Sequence, residues 1–340
     1  QKTAYEIMPS LVGSEMCIRD SPSSKYQWLI VVVFVIVAFV CGTAYVVVVM
    51  GKTVFIQALI HGLLSGSIYA LLALGLALIF GVMKIINICH GELVVLGAYV
   101  TFWLYTLMGV DPFLSIPLSL LTLFIIGLPL GKFVMDPALK IGVDPPLIIA
   151  FGLSIILQNL MRYFWTATPR GIRLEWYLPI NLPFGVTVSA LTLIVALIAI
   201  FGLGFLHLFL KKTFIGKAIR AVSMDIPSSR LMGVNVENIN ALSYGIGLAL
   251  AGISGSLIAV VMGFDPMSGM LFTNKALCVI VLGGVGHIFG AFVGGLVLGI
   301  AEAVGSFFLG DTARHAVAYI LFLIVLIFKP TGLFAKYRAF

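Results

Sequence analysis

Long apolar runs separated by short polar breaks set the pattern of this chain. Residues 28–50, 55–83, 93–108, 113–135, 147–165 and 186–210 are each apolar enough to read as a membrane span. Crossing ~30 Å of hydrocarbon takes ~20 helical residues, and a helix satisfies its own backbone in lipid. The alternating strands of a barrel are absent. One long polar interruption, 211–240, comes next, and then apolar segments at 239–262, 276–309 and 316–328. As one straight helix, 276–309 would be ~50 Å long at ~1.5 Å per residue. It should therefore break, and Gly283, Gly284 and Gly286 mark the place. The expected fold is an all-α polytopic membrane protein of about ten transmembrane helices. Five fall on each side of about residues 170–185, which permits an inverted repeat of the kind transporters use. Small residues at four-residue spacing (Gly247, Ala251, Gly255; Gly290, Gly294) are suited to close helix packing.

Composition sharpens the class. The chain is 61% hydrophobic and 10% charged, against ~25% charged in soluble domains, and its mean hydropathy is +1.18. The net charge of +7 gathers at span ends, where it sets topology instead of marking a nucleic-acid site. With 211–238 placed in the cytoplasm, Lys132 and Lys140 also fall inside, whereas Arg162, Arg170 and Arg173 fall outside, against the rule. Residues 1–27 are polar, foreign in composition to the rest of the chain and similar to translated sequencing-adapter read-through, so they stand apart from the transmembrane domain expected at 28–333. Residues 334–340 read as a cytoplasmic tail. Cys17, Cys41, Cys89 and Cys278 have no metal-ligand spacing and read as free thiols.

No catalytic or metal-binding pattern is present. The run Gly127-Leu-Pro-Leu-Gly131-Lys132 has the wrong spacing for a phosphate-binding loop and lacks its Ser or Thr. Two polar intrusions remain. Asn87, His90 and Glu92 lie between two spans and either hold a broken segment in place or touch the transported molecule. Glu302 stands half-way down an apolar helix, as a proton-coupling group or as a carboxylate buried against a neighbour. Within the basic stretch, Asp225 suits a helix N-cap, Pro227 a first turn and Gly233 the position past a helix end, so 226–232 reads as a short surface helix.

Several motifs together resemble the permease subunits of bacterial branched-chain amino acid ABC transporters, with urea and short-amide permeases as near relatives. They are Gly66-Ser-Ile-Tyr-Ala-Leu-Leu-Ala-Leu-Gly75, Ile86-Asn-Ile-Cys-His-Gly-Glu92, Gly216-Lys-Ala-Ile-Arg-Ala221 through Leu231-Met-Gly-Val-Asn235, Val281-Leu-Gly-Gly-Val-Gly286, Gly290 to Glu302, and Lys329-Pro-Thr-Gly332. The resemblance implies a complex in the bacterial inner membrane. Its members would be a second permease, two cytoplasmic ATPases that bind ATP and Mg, and a periplasmic substrate-binding protein. No cofactor is expected in this chain. Gly216, Arg220, Asp225, Arg230, Leu231 and Gly233 would then belong to the loop that couples to the ATPase. The alternatives are a urea or short-amide permease, and an ion-coupled transporter or channel using Glu302 or Glu92.

Overall fold

The computed structural model describes residues 52–142, 144–174, 179–182, 186–284, 286–310, 314–329 and 332–334. The expected tail at 1–27, the span at 28–50 and residues 335–340 lie outside them. The chain divides into a unit at 1–55 and a second at 56–340, and the packing is that of the second.

Among the described residues the structure is helical apart from one small hairpin. The elements are α1 (Lys52–Met83), α2 (His90–Met108), α3 (Pro112–Pro129), a π-helical turn (Leu130–Met135), α4 (Asp136–Ile141), α5 (Asp144–Trp165), β1 (Pro179–Leu182), β2 (Val186–Ser189), α6 (Ala190–Lys212), α7 (Phe214–Met224), α8 (Ile226–Leu231), α9 (Val236–Val261), α10 (Gly269–Gly283), α11 (Ile288–Leu309) and α12 (Arg314–Phe328). Seven of the helical stretches are long and apolar enough to cross a membrane, and two shorter apolar helices, α10 and α12, accompany them. The chain is an all-α polytopic membrane protein.

The interior is built on α1 and α9. Their apolar stretches are 78% and 83% buried, whereas that of α5 is only 17% buried, so the first two form the centre and the last lies at the edge of the bundle. Glycines allow the central helices to approach. A methyl group added at Gly75 of α1 would lie 2.5 Å from the Gly247 carbonyl oxygen of α9, and one at Gly127 of α3 would lie 2.8 Å from the Gly245 backbone. In lipid, where apolar surface gains little by leaving one greasy neighbour for another, such close packing holds the bundle together. Thr101 of α2 adds a buried hydrogen bond to Ser256 of α9 at 2.7 Å.

Two faces result from the connections. The C-terminal ends of α5 and α9 meet at one face, where Arg170 and Phe264 exchange backbone hydrogen bonds of 2.8 Å each. The end of α4, helices α7 and α8, and the start of α9 meet at the other, the basic face, through the ion pairs Lys140–Glu237 at 3.4 Å and Arg230–Glu237 at 3.3 Å.

Several boundaries differ from the sequence reading for local reasons. The span read at 186–210 begins as strand β2, which pairs antiparallel with β1 from Pro179↔Ser189 to Leu182↔Val186, and becomes helix only at Ala190. The span read at 113–135 continues to Ile141, because the loss of the Pro129 donor is absorbed by the π-helical turn instead of ending the helix. Helix α10 starts at Gly269, seven residues before the apolar run read from 276, since its first turns carry Thr273, Asn274 and Lys275. The basic stretch holds a second helix, α7, capped by Thr213, whose hydroxyl accepts from the Gly216 amide at 3.0 Å.

Candidate functional site

At the first polar intrusion, α1 ends at Met83 and the chain runs non-helically through residues 84–89 before α2 begins at His90. β-Branched Ile85, Ile86 and Ile88 with Asn87 are poor helix formers, which favours the break here. Asn87, His90 and Glu92 are all buried. His90 Nε2 lies 3.1 Å from the Leu72 carbonyl oxygen, eleven residues back from the end of α1, so the segment folds back into the bundle. Cys89 Sγ donates to Asn87 Oδ1 at 3.0 Å. Non-helical backbone at membrane depth persists only where protein or a water-lined space satisfies it.

The second half of the chain has a matching break. Helix α9 ends at Val261, residues 262–268 are irregular apart from a bridge at Phe264 and a turn at 266–268, and α10 begins at Gly269. The N-termini of α2 and α10 meet. The Gly91 amide, one of the donors left without a partner inside its own helix, donates to Thr273 Oγ1 at 2.8 Å, and Thr273 Oγ1 donates to the Ile88 carbonyl at 3.0 Å. Glu92 lies in the first turn of α2, and its side chain is against Gly269 at the start of α10. A carboxylate between two helix N-termini is favoured by both dipoles.

Glu302 is clamped. It is fully buried, and its Oε2 accepts from Tyr69 Oη at 2.8 Å, from Lys275 Nζ at 2.9 Å and from Arg314 Nε at 3.3 Å. Lys275 Nζ also donates to Tyr69 Oη at 2.8 Å and sits 4.3 Å from the Tyr69 ring centroid. The cluster ties α1, α10, α11 and α12 together. Sequence reasoning does not single out these three partners as ligands of Glu302, since no spacing rule connects positions so far apart. The one available signal is Lys275, a charge just ahead of an apolar run.

Helix α10 ends at Gly283; Gly284 and Gly286 have φ of 98° and 82°, and α11 begins at Ile288. Gly283 and Gly290 face each other across this turn too closely for any side chain on either. The C-terminal segment closes over it, with the Leu333 amide donating to the Leu282 carbonyl at 2.9 Å.

On the basic face, α8 runs Ile226–Leu231. Asp225 occupies its N-cap position, but its side chain does not cap a backbone amide. It accepts the Ser228 hydroxyl instead, while Ser229 Oγ donates to the Asp225 carbonyl at 2.7 Å. Gly233 has φ of 81°, and the Val234 amide closes the helix end on the Ser229 carbonyl at 3.1 Å. Gly216 is buried against the end of α6, while Arg220 and Arg230 are exposed. Arg230 joins Glu237, Lys140 and Asp136 in a chain of ion pairs that ends in the buried hydrogen bond from Asn240 Nδ2 to Asp136 Oδ1, 2.7 Å long. Phe214, Met224, Leu231 and Met232 project outward, 79–89% exposed.

Residues 58–328 match the family described as the branched-chain amino acid transport system permease component. The chain belongs to this permease family. It is 34% identical to the high-affinity branched-chain amino acid permease protein BraD of Pseudomonas aeruginosa, over 83% of this chain and 96% of that protein. It is 30% identical to LivH of Escherichia coli K12 over the same shares. The high-affinity branched-chain amino acid transport system permease protein LivM of the same organism is 23% identical over 80% of this chain and 68% of its own length. No solved structure matches. The chain is thus a multi-pass transport permease. Among the described residues no group of His, Cys, Asp and Glu is arranged to hold a metal.

Proposed function

We propose that this chain is the membrane-spanning permease of an ATP-driven importer of branched-chain amino acids in the bacterial cytoplasmic membrane. The observation that carries this is the surface of α7 and α8. Four large apolar side chains, Phe214, Met224, Leu231 and Met232, stand exposed on the basic face, and the helix beneath them is braced to α9 by the Arg230–Glu237–Lys140 ion pairs. An exposed apolar patch on a rigid support is suited to a partner protein. That partner, in this reading, is a cytoplasmic ATPase that supplies ATP and Mg. The remaining members are a second permease, a second ATPase and a periplasmic binding protein. Closure of the ATPases would move α8, and with it α9, so that the bundle alternates between its two faces.

An inverted repeat supports that motion. Gly91 and Gly269 each stand eight residues beyond the end of the preceding long helix, and they touch one another. Helices α1, α2, α3 and α5 then correspond to α9, α10, α11 and α12 in opposite orientation. With α6 and the span expected at 28–50, the count is ten, five in each half. The pivot is the place where the N-termini of α2 and α10 meet.

A secondary transporter working through Glu302 is less well supported. A carboxylate already shared by Lys275, Arg314 and Tyr69 is poorly placed to exchange protons or ions with water. Replacing Arg220 with Ala together with Gly233 with Val is expected to abolish ATP-driven uptake in proteoliposomes holding the whole complex, with membrane insertion unchanged. Uptake at the original rate in that double variant would sink the coupling assignment.

A further inference from the structure

The face opposite α7 and α8 holds a cavity of about 740 Å³ between residues 169–174 and the C-terminal end of α9. Among the described lining residues Arg170 and Arg173 are the charged ones and none is acidic, and much of the wall is apolar, including Ile172, Leu191, Val260 and Met262. These arginines run against the usual charge bias of that face.

Arg170 is held from several sides. Its backbone pairs with Phe264, and the Ile172 amide donates to the Ala259 carbonyl at 2.9 Å. Its Nη2 donates to the Trp165 carbonyl at 2.8 Å. The guanidinium carbon lies 5.1 Å from the Trp103 ring centroid and 5.3 Å from that of Phe102. Yet Arg170 Nε, shut away from solvent, has no acceptor, and neither do Tyr99 Oη or Trp103 Nε1 in the same aromatic cluster. Tyr99 and Trp103 are one helical turn apart on α2, and Tyr99 stacks on Trp165 at 4.3 Å. Among the described residues no carboxylate pairs with Arg170. The nearby Asp265 instead accepts the Met267 and Ser268 amides with Oδ1, at 2.7 and 3.0 Å.

Buried donors without acceptors are costly, and an arginine fixed in one orientation presents a fork that matches a planar carboxylate. We propose that this cavity binds the carboxylate of an aliphatic α-amino acid, with Arg170 as the anchor and the apolar wall taking the side chain. The proposal rests on the transport reading above and narrows it, because urea and short amides carry no anionic group for Arg170 to hold.

Trp103 and Trp165 report on the site. Their fluorescence in the detergent-solubilised complex, without the binding protein, is titrated with leucine and with leucinamide. Leucine is expected to change the signal and leucinamide is not. Arg170→Gln is expected to raise the half-saturating leucine concentration at least tenfold, and Arg170→Lys, which keeps the cation but not the fork, to fall between. If Arg170→Gln does not assemble, Arg170→Lys carries the comparison. A variant that titrates like the original chain, leucinamide as effective as leucine, or no response to leucine would overturn the site. ATP-driven leucine uptake by the same complexes, reconstituted in liposomes with the second permease, the ATPases and the binding protein present, separates the two readings. Uptake with an unresponsive titration overturns the site alone, whereas absence of leucine uptake overturns the transport reading.

Discussion

Glu302→Ala is expected to cause the largest loss of folded protein in the membrane of any single change proposed. The substitution strands Lys275, which is almost fully buried, without its carboxylate, and it frees Arg314 and Tyr69 as well. Removing one partner of a buried ion pair costs about 3–5 kcal/mol, because the other charge stays buried and uncompensated. Removing both charges should therefore do less harm than removing one. In Glu302→Leu combined with Lys275→Met the low-dielectric charges are gone, and Arg314, whose side chain is 31% exposed, can turn to water. Thermal unfolding in mild detergent, followed by size-exclusion chromatography, checks this. The single variant should unfold well below the original chain, and the double variant should recover part of the loss. Equal stability of the single variant and the original would remove the structural role assigned to the cluster.

Gly91→Leu should be the next most damaging. A side chain at residue 91 would meet Thr273 Oγ1 at 2.6 Å and run into the Gly269 carbonyl. Gly269 has no room to withdraw, since it is packed on Glu92 in turn. Overpacking typically costs about 1–3 kcal/mol, and backbone on the facing side puts this position at the upper end. The change also prises apart the N-termini of α2 and α10, so uptake should fall further than the amount of folded protein. Gly152→Leu is the control, because nothing lies within 4 Å of a side chain there. Comparing protein level and transport for the two variants tests the contact, and equal behaviour at both positions would contradict it.

Much of this architecture is legible in the sequence wherever a local rule governs it. Apolar run length marks the spans, and the excessive length of 276–309 demands a break, which falls between α10 and α11. Gly233 and Pro227 mark the ends of a short helix because glycine readily takes the left-handed turn there and proline fixes a helical φ without needing a donor. What escapes depends on side chains far apart in the chain. Lys275 and Arg314 reach Glu302 only after three helices have packed. Asp136 and Asn240 likewise form their buried hydrogen bond across 104 residues. Arg170 shows in the sequence only as an exception to a charge rule, and its aromatic surroundings come from α2, α5 and the turn after α9. The start of α10 is hidden because polar Thr273, Asn274 and Lys275 interrupt the apolar signal while being held by other helices.

The central claim, that this permease moves branched-chain amino acids only under the drive of ATPases docked on α7 and α8, meets its most direct test in reconstituted liposomes. Labelled leucine uptake is measured with the chain alone under an ion gradient, and with the chain together with a second permease, the ATPases, the binding protein and ATP. The account predicts uptake in the complete, ATP-supplied system and none by the chain alone. Uptake by the lone chain driven by the gradient, or uptake by the complex without ATP, would contradict it.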